Sequence, residues 1–236
     1  MLLGFVELVT VGGMVQEHAM PPFHEMMESF WSALRGGFVT DHVTVTLRRV
    51  VMAFGIGVGL AFFSAILFWK LPLLGKSLEP VIAASSAIPF FFVYPILLLT
   101  LGINDRPMIV LAAHTAFVPM LLNTFTGLTE IRRIVIKVGK TFGCSTLRMY
   151  RQIIFPAAAP YIMTGLKLSF MYTFIAIVAL EFLLGASKGL GFSIKYSYET
   201  FRIRQMYGYL VFLVIISATM TITLNWIESR LRGRYQ

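Results

Sequence analysis

Four stretches of this 236-residue chain run for twenty residues or more without an acidic or basic side chain: Val50 to Trp69, Val81 to Asn104, Met108 to Thr129 and Met206 to Trp226. A fifth, Ala157 to Leu184, is interrupted only by Lys167 and Glu181. A helix rises about 1.5 Å per residue, so about twenty apolar residues cross the hydrocarbon core of a bilayer. Backbone N–H and C=O groups find no water there, which leaves helices and closed barrels as spanning structures. Barrel strands alternate apolar and polar residues over short segments, and these continuous runs do not. The expected fold is therefore an all-α membrane protein, in keeping with 57% hydrophobic and 13% charged residues. Met1 to Val15 is apolar but contains Glu7 and is short for a full crossing. It reads as a short first helix rather than a signal peptide, since it has neither a basic leader nor a small-residue cleavage site. Counting this short first helix, the chain is expected to have about six transmembrane helices in one domain over 1–236, with core helices over 45–185 and a last helix and basic tail over 206–236.

The charges are placed unevenly. Glu130 to Pro156 carries six of the chain's twenty Lys and Arg residues, Arg132, Arg133, Lys137, Lys140, Arg148 and Arg151. With Arg230, Arg232 and Arg234 in the tail, the positive-inside rule puts this insert and both termini in the cytoplasm. Lys70 to Pro80 then reads as a cytoplasmic turn, Gly102 to Pro107 as an external turn and Gly185 to Gln205 as an external loop. Arg48 and Arg49 fall at an external helix end, against the rule, with Asp41 as a nearby compensating charge. The net charge of +9 belongs to span ends and anionic lipid, and calls for no nucleic-acid partner. Within the insert, Ile131, Ile134, Val135 and Val138, then Leu147, Tyr150, Ile153 and Ile154, recur at helical spacing. That pattern predicts two short helices lying across the membrane surface, parted at Gly143, with Ser145 as N-cap of the second and Pro156 as its stop. Such an amphipathic insert (130–156) is a docking surface for something in the cytoplasm.

No nucleotide chemistry is encoded. A phosphate-cradling loop needs glycine five residues before Gly-Lys-Ser/Thr, and the candidates at Gly75 and Gly139 have Lys70 and Ile134 there instead. The single cysteine, Cys144, and the scattered His18, His24, His42 and His114 give no metal-ligand spacing, so no cofactor or metal is expected in this chain and no catalytic residue is assigned. Gly55 and Gly59, four apart in a membrane span, predict close helix packing. Glu181 either lines the interior or a subunit contact, or anchors an external helix end. Lys167 lies roughly 21 Å along the same helix, too far to pair with it, and its long stem can snorkel to headgroups. Pro89 and Pro95 free backbone carbonyls in one span, where Phe90, Phe91 and Tyr94 form either an aromatic wall of a solute path or ordinary helix packing. His114 and Asn123 in the next span either line that path or make interhelical hydrogen bonds. Phe23, Met26, Met27, Phe30, Trp31 and Leu34 share one stripe over 22–38, which reads as an interfacial helix or as one packed on protein.

Several pieces of this chain, in order, resemble the membrane subunits of bacterial ATP-binding-cassette importers, most closely the nitrate, sulfonate and taurine branch. They are Thr46 to Arg49 (TLRR), Ile88-Pro89, Asn123-Thr124, the run GKTFGCSTLRMYRQIIFPAAAPYIMTGLKLSF, and Glu181 followed by Gly185-Ala186-Ser187 and Gly189-Leu190-Gly191. The likeness runs from about Pro21 to Arg234. One departure stands out: the family's Glu-Ala-Ala positions are Lys137, Val138 and Gly139 here, while Gly143 and Ile153 to Pro156 match. The resemblance implies a permease of the type I importer fold and a second permease subunit. It also implies two cytoplasmic ATPase subunits that bind ATP and magnesium, and an external solute-binding protein. Gly143, Ser145, Leu147, Arg148, Tyr150 and Arg151 would meet the ATPase, with Leu147 and Tyr150 as apolar knobs. Phe90, Phe91, Tyr94, His114, Asn123 and Glu181 would line the path of a small anion, sulfonate, or aromatic or heterocyclic solute. The competing class is an ion-gradient-driven transporter or channel, which would ordinarily carry more intramembrane carboxylates or a repeated half.

Overall fold

A computed structural model describes residues 21–184 and 187–232. The expected short helix over 1–15, together with Gly185 and Arg234, lies outside them. The described residues form helices joined by short turns: α1 (Phe23–Arg35), α2 (Thr44–Lys70) entered through a π-helical turn at Val39–Val43, α3 (Pro72–Ser85), α4 (Phe90–Leu101), α5 (Arg106–Thr129), α6 (Arg133–Thr141), α7 (Thr146–Met149), a second π-helical turn (Tyr150–Ile154), α8 (Phe155–Leu184), α9 (Leu190–Glu199) and α10 (Ile203–Arg232). Among the described residues, four uninterrupted helical runs are long and apolar enough to cross a membrane: Val39–Lys70, Arg106–Thr129, Thr146–Leu184 and Ile203–Arg230.

The remaining expected span, Val81 to Asn104, is broken in two. Pro89 has no N–H, and the residue before a proline disfavours the helical region, so the chain leaves the helix at Ser86 and resumes at Phe90. The Ser85 and Ser86 hydroxyls donate to the Ile82 and Ala83 carbonyls at 2.6 and 2.7 Å, and the Ser86 N–H also donates to the Ala83 carbonyl at 3.2 Å, so the last turn of α3 tightens before the break. With 12 residues, α4 is about 18 Å long and cannot cross alone. The turn expected at Lys70 to Pro80 is instead the beginning of α3, because Pro72 sits in the first helical turn, where its missing donor costs nothing. The loop expected at Gly185 to Gln205 likewise contains a helix, α9.

The chain divides into two compact units, one holding residues up to Arg49 with Ile177–Met220, the other Val50–Ala176 with Thr221 onward. In the second unit α5 is central, with Met120, Leu121 and Phe125 buried against Ala61, Ala65 and Phe68 of α2. The packing stripe of α2 differs from the expected one. A Cβ placed on Gly55 or Gly59 would meet nothing within 4 Å, whereas one on Gly57 would lie 2.3 Å from the Ala113 carbonyl oxygen and 2.7 Å from the Ala116 Cβ. Ala53, Gly57, Ala61 and Ala65 repeat every fourth residue and are all buried, so the close face is built chiefly from alanine. Deep in the same unit, the Ser169 hydroxyl of α8 donates to the Ala116 carbonyl at 2.7 Å. Lys167 does not snorkel; it pairs with Glu228 and donates to Asn225 Oδ1 at 2.7 Å, both on α10.

In the first unit α1 packs on α10. Phe30 stacks near Phe212 with centroids 4.4 Å apart, Phe38 lies parallel to Tyr209 at 4.1 Å, and Glu25 accepts from Arg204 at 2.9 Å. The backbones approach closely at Gly208, where a Cβ would be 2.5 Å from Ser29 Oγ. Of the stripe read on this helix, Met26 and Phe30 are buried in protein, while Trp31 and Leu34 are exposed.

Gly57 therefore has no substitute. Gly57→Val should destabilise the purified chain by about 3 kcal/mol, the upper end of overpacking costs, because backbone and not a flexible side chain blocks the new atoms. Gly55→Ala and Gly59→Ala should be neutral or stabilising by up to about 1 kcal/mol. Thermal unfolding in detergent measures all three, and equal losses would contradict this packing.

Candidate coupling surface and translocation cavity

Elementary electrostatics singles out one buried cluster in the first unit. Glu181 is 0% exposed and Arg49 is 4% exposed. Arg49 Nη1 donates to Glu181 Oε1 at 2.7 Å and to the Lys188 carbonyl at 2.7 Å. Thr46 Oγ1 donates to the carboxylate, 2.9 Å from Oε2, and accepts from the Leu190 N–H at 2.8 Å. The Gly191 N–H donates to Oε2 at 3.0 Å. An unpaired charge in such a place costs several kcal/mol, and the ion pair with its surrounding hydrogen bonds is what offsets it. The glycines make the approach possible. A Cβ at Gly189, whose φ is +133°, would lie 2.4 Å from the carboxylate, and one at Gly191 would lie 2.2 Å from the Val178 carbonyl oxygen. Sequence reasoning compensated Arg49 with Asp41; its partner is Glu181. Arg49 is thus neutralised within the protein and no longer counts against the expected orientation.

The insert forms as the periodicity predicts, with one difference. Gly143 takes φ +70°, ending the α6 turn in a left-handed conformation that suits glycine. Ser145 caps α7, its Oγ accepting from the Arg148 N–H at 3.4 Å. Pro156 does not stop the helix. The π-helical turn at Tyr150–Ile154 shifts the hydrogen-bond register just before it, with the Phe155 N–H donating to the Tyr150 carbonyl, and the helix continues into α8. Thr146 to Leu184 is one run of 39 residues. At about 1.5 Å per residue it reaches roughly 58 Å, longer than the hydrocarbon core of a bilayer requires.

The insert is apolar on two faces. Ile131, Met149 and Ile154 are buried with Leu128 and Ala158, and Ile136 and Ile153 pack on that cluster. Gly139 brings α6 down on the second segment, where a Cβ would be 2.7 Å from Met149 Cε. The opposite face is open. Ile134, Val135 and Val138 are exposed, Phe142 is 83% and Leu147 78% exposed, and Arg148 and Arg151 are exposed beside them. Ile134, Val138, Gly139, Phe142, Cys144 and Ile153 border a groove of about 420 Å³. Tyr150 is not among the open knobs. Its ring meets Trp69 edge-on at 6.1 Å and lies under the Lys70 ammonium at 5.7 Å, so it fastens the insert to the end of α2. Phe142 joins the open face instead; just past the end of α6, it continues the helical spacing of Val135 and Val138, so the same periodicity could have found it.

A second cavity, of about 500 Å³, opens in the same unit where the chain breaks between α3 and α4. Its polar lining comes from Ser86, His114, Thr115, Asn123 and Tyr172, and none of the lining residues is Lys, Arg, Asp or Glu. His114 Nε2 lies 3.0 Å from Ser85 Oγ, and Asn123 Nδ2 donates to the Pro119 carbonyl at 2.8 Å, within its own helix. Pro119 has no N–H, so the Thr115 carbonyl on this wall loses its regular helical donor. Of the predicted path residues, His114 and Asn123 come together here. Tyr94 is buried, Phe91 is partly exposed, and neither borders the cavity; Glu181 is sequestered in its cluster. The Phe90 side chain lies outside the described residues. Ser86 and Tyr172 were not predicted, although Ser86 is legible as the polar residue at a proline break.

Residues 57–235 match the family described as the binding-protein-dependent transport system inner membrane component. The chain belongs to that family, the multi-pass membrane permeases of ATP-binding-cassette importers. Its relatives place it in the nitrate, sulfonate and taurine branch. A probable ABC transporter permease of Brucella melitensis is 25% identical over 97% of this chain and 91% of its own length. A putative aliphatic sulfonates transport permease of Bacillus subtilis is 25% identical over 86% of this chain and 74% of its own. The taurine transport system permease of Escherichia coli is 25% identical over 90% and 78%, respectively.

Removing one partner of the buried pair tests the cluster. Glu181→Leu should cost about 3–5 kcal/mol by leaving Arg49 buried without a counter-charge. Arg49→Leu with Glu181→Leu should cost less than the sum of the single changes. Unfolding midpoints of the three variants measure this, and strictly additive losses would contradict a direct pair.

Proposed function

We propose that this chain forms the solute path of an importer in a bacterial cytoplasmic membrane. Its driving force comes from separate cytoplasmic ATPase subunits that dock on the open face of the Gly143 to Phe155 segment. The carrying observation is the two-faced insert: one apolar face is locked into the protein, and the other, with Phe142, Leu147, Arg148 and Arg151, is offered outward. Exposed apolar residues with a basic rim suit an acidic-edged cleft on a partner. Gly143 and Ser145 set the angle of α7. A push on Leu147 acts on the end of a helix that runs to Leu184, which suits a lever that tilts a core helix.

In this reading the transporter holds two permease chains, as a homodimer or with a different partner, and two ATPase subunits that bind ATP and magnesium. An external binding protein delivers the solute, and the chain termini face the cytoplasm. The cavity at the α3–α4 break is the chain's share of the path. Its uncharged polar lining supports recognition by hydrogen bonds, which serves a sulfonate or other small anion through neutral donors and an aromatic or heterocyclic solute equally. Lys137, Val138 and Gly139 at the family's acidic-small-small positions change the contact locally, with Gly139 now serving α6 packing rather than the partner.

The assembled transporter in lipid vesicles provides the test. Phe142→Asp with Leu147→Asp should abolish most of the ATPase stimulation given by loaded binding protein, by about tenfold or more, because charge enters a desolvated contact. Binding of the external protein should persist. Full stimulation in the double variant would place the ATPase contact elsewhere.

A further inference from the structure

A pocket of about 230 Å³ in the first unit shares no residue with the path cavity or the coupling groove. It is bordered by His42, Ser193, Tyr196, Ser197, Arg202, Gln205 and Tyr209 among others, and none of its lining residues is acidic. Three observations point to one kind of ligand. First, Ser197 is 1% exposed and its Oγ has no hydrogen-bond partner among the described residues. A buried hydroxyl of this sort calls for a partner from outside the chain. Second, Arg202 is held at the mouth by unusual backbone geometry. Phe201 takes φ +56°, a conformation that side chains rarely adopt, and the Arg202 N–H donates to the Ser197 carbonyl at 2.8 Å, closing the end of α9. This strained turn sets the guanidinium 5.9 Å from the centre of the Tyr196 ring. Third, Arg202 immediately precedes α10 and its carbonyl accepts the first helical N–H, from Met206, at 3.0 Å; the opening turn of α10 contributes Gln205, so the positive end of a 30-residue helix lies beside the pocket. The acid on α9, Glu199, is engaged by Lys195 at 3.7 Å.

We propose that this pocket binds a small oxyanion group, a carboxylate, sulfonate or phosphate, with Arg202 as counter-charge and Ser197 Oγ and the Gln205 amide as donors. The Phe192 and Tyr196 rings, 6.0 Å apart and nearly parallel, form an apolar wall for whatever carries the group. Both a free solute anion and the phosphodiester of an anionic lipid present this chemistry, since the pocket lies where a membrane-length helix begins.

The test uses the full chain purified in detergent and needs no ATPase, so its outcome is separate from that of the coupling proposal. Binding of methanesulfonate is followed by calorimetry, and binding of phosphatidylglycerol against phosphatidylcholine by native mass spectrometry. Arg202→Gln should weaken whichever anion binds by about tenfold and Ser197→Ala by severalfold, as loss of charged and neutral hydrogen bonds requires. Arg204→Gln removes the same charge two residues away, outside the pocket, and should change little. Methanesulfonate binding lost in Arg202→Gln identifies a free-anion site; phosphatidylglycerol binding lost in the same variant identifies a headgroup site. No binding of either anion, or equal loss in Arg202→Gln and Arg204→Gln, overturns the proposal.

Discussion

The Arg49–Glu181 pair is the constraint on which much of the first unit rests. Two opposite charges are buried together, and neither is tolerable alone. Their presence dictates the surrounding sequence: a hydroxyl at Thr46 to fill one carboxylate site, a backbone N–H at Gly191 to fill another, and no side chain at Gly189 where the carboxylate lies. The result ties the first turns of α2 to the last turn of α8 and to the loop that opens α9. A helix end inside a membrane protein has few other anchors, since lipid offers no hydrophobic gain for packing one helix on another.

The coupling region solves a different problem with the same materials. If the insert docks a cytoplasmic partner as proposed, it must be held rigidly and yet present apolar surface. Gly139, Met149 and Ile153 secure one face, Tyr150 fastens the second segment to Trp69, and the remaining apolar residues are left open. The π-helical turn before Pro156 lets the segment pass without a break into α8. For the proposed coupling, rigidity matters because a flexible joint at Pro156 would absorb the movement that an ATPase would impart.

Much of this was legible in the sequence. Hydropathy located the membrane helices, and Gly143 and Ser145 marked the bend and cap of the insert, since these features depend on local chemistry alone. Pro89 was legible as a disturbance within one span, but not as a full break at Ser86–Pro89, because hydropathy joins the apolar residues on either side and a proline in a membrane helix can kink it without ending it. Small-residue packing was sought at Gly55 and Gly59, but the buried face ran through Ala53, Gly57, Ala61 and Ala65, and which face of a helix is covered depends on its neighbours. Arg49 and Glu181 are 132 residues apart, and sequence reasoning treated each as a separate anomaly. The signal was present in the TLRR and Gly-Leu-Gly pieces flanking them, whose small and hydroxyl residues make sense only around a shared buried charge. Lys167 was expected to reach lipid, and no local rule revealed Glu228 and Asn225 as its partners.

The central claim is that the segment around Gly143 lies in the cytoplasm and is gripped there by an ATPase. Cys144, the chain's one cysteine, borders the coupling groove and reports on both parts directly. Its labelling by a membrane-impermeant maleimide should occur in inside-out vesicles and not in right-side-out ones, and should fall sharply once the ATPase subunits are bound. Labelling from the outer face, or labelling undiminished by the bound ATPase, would contradict the account.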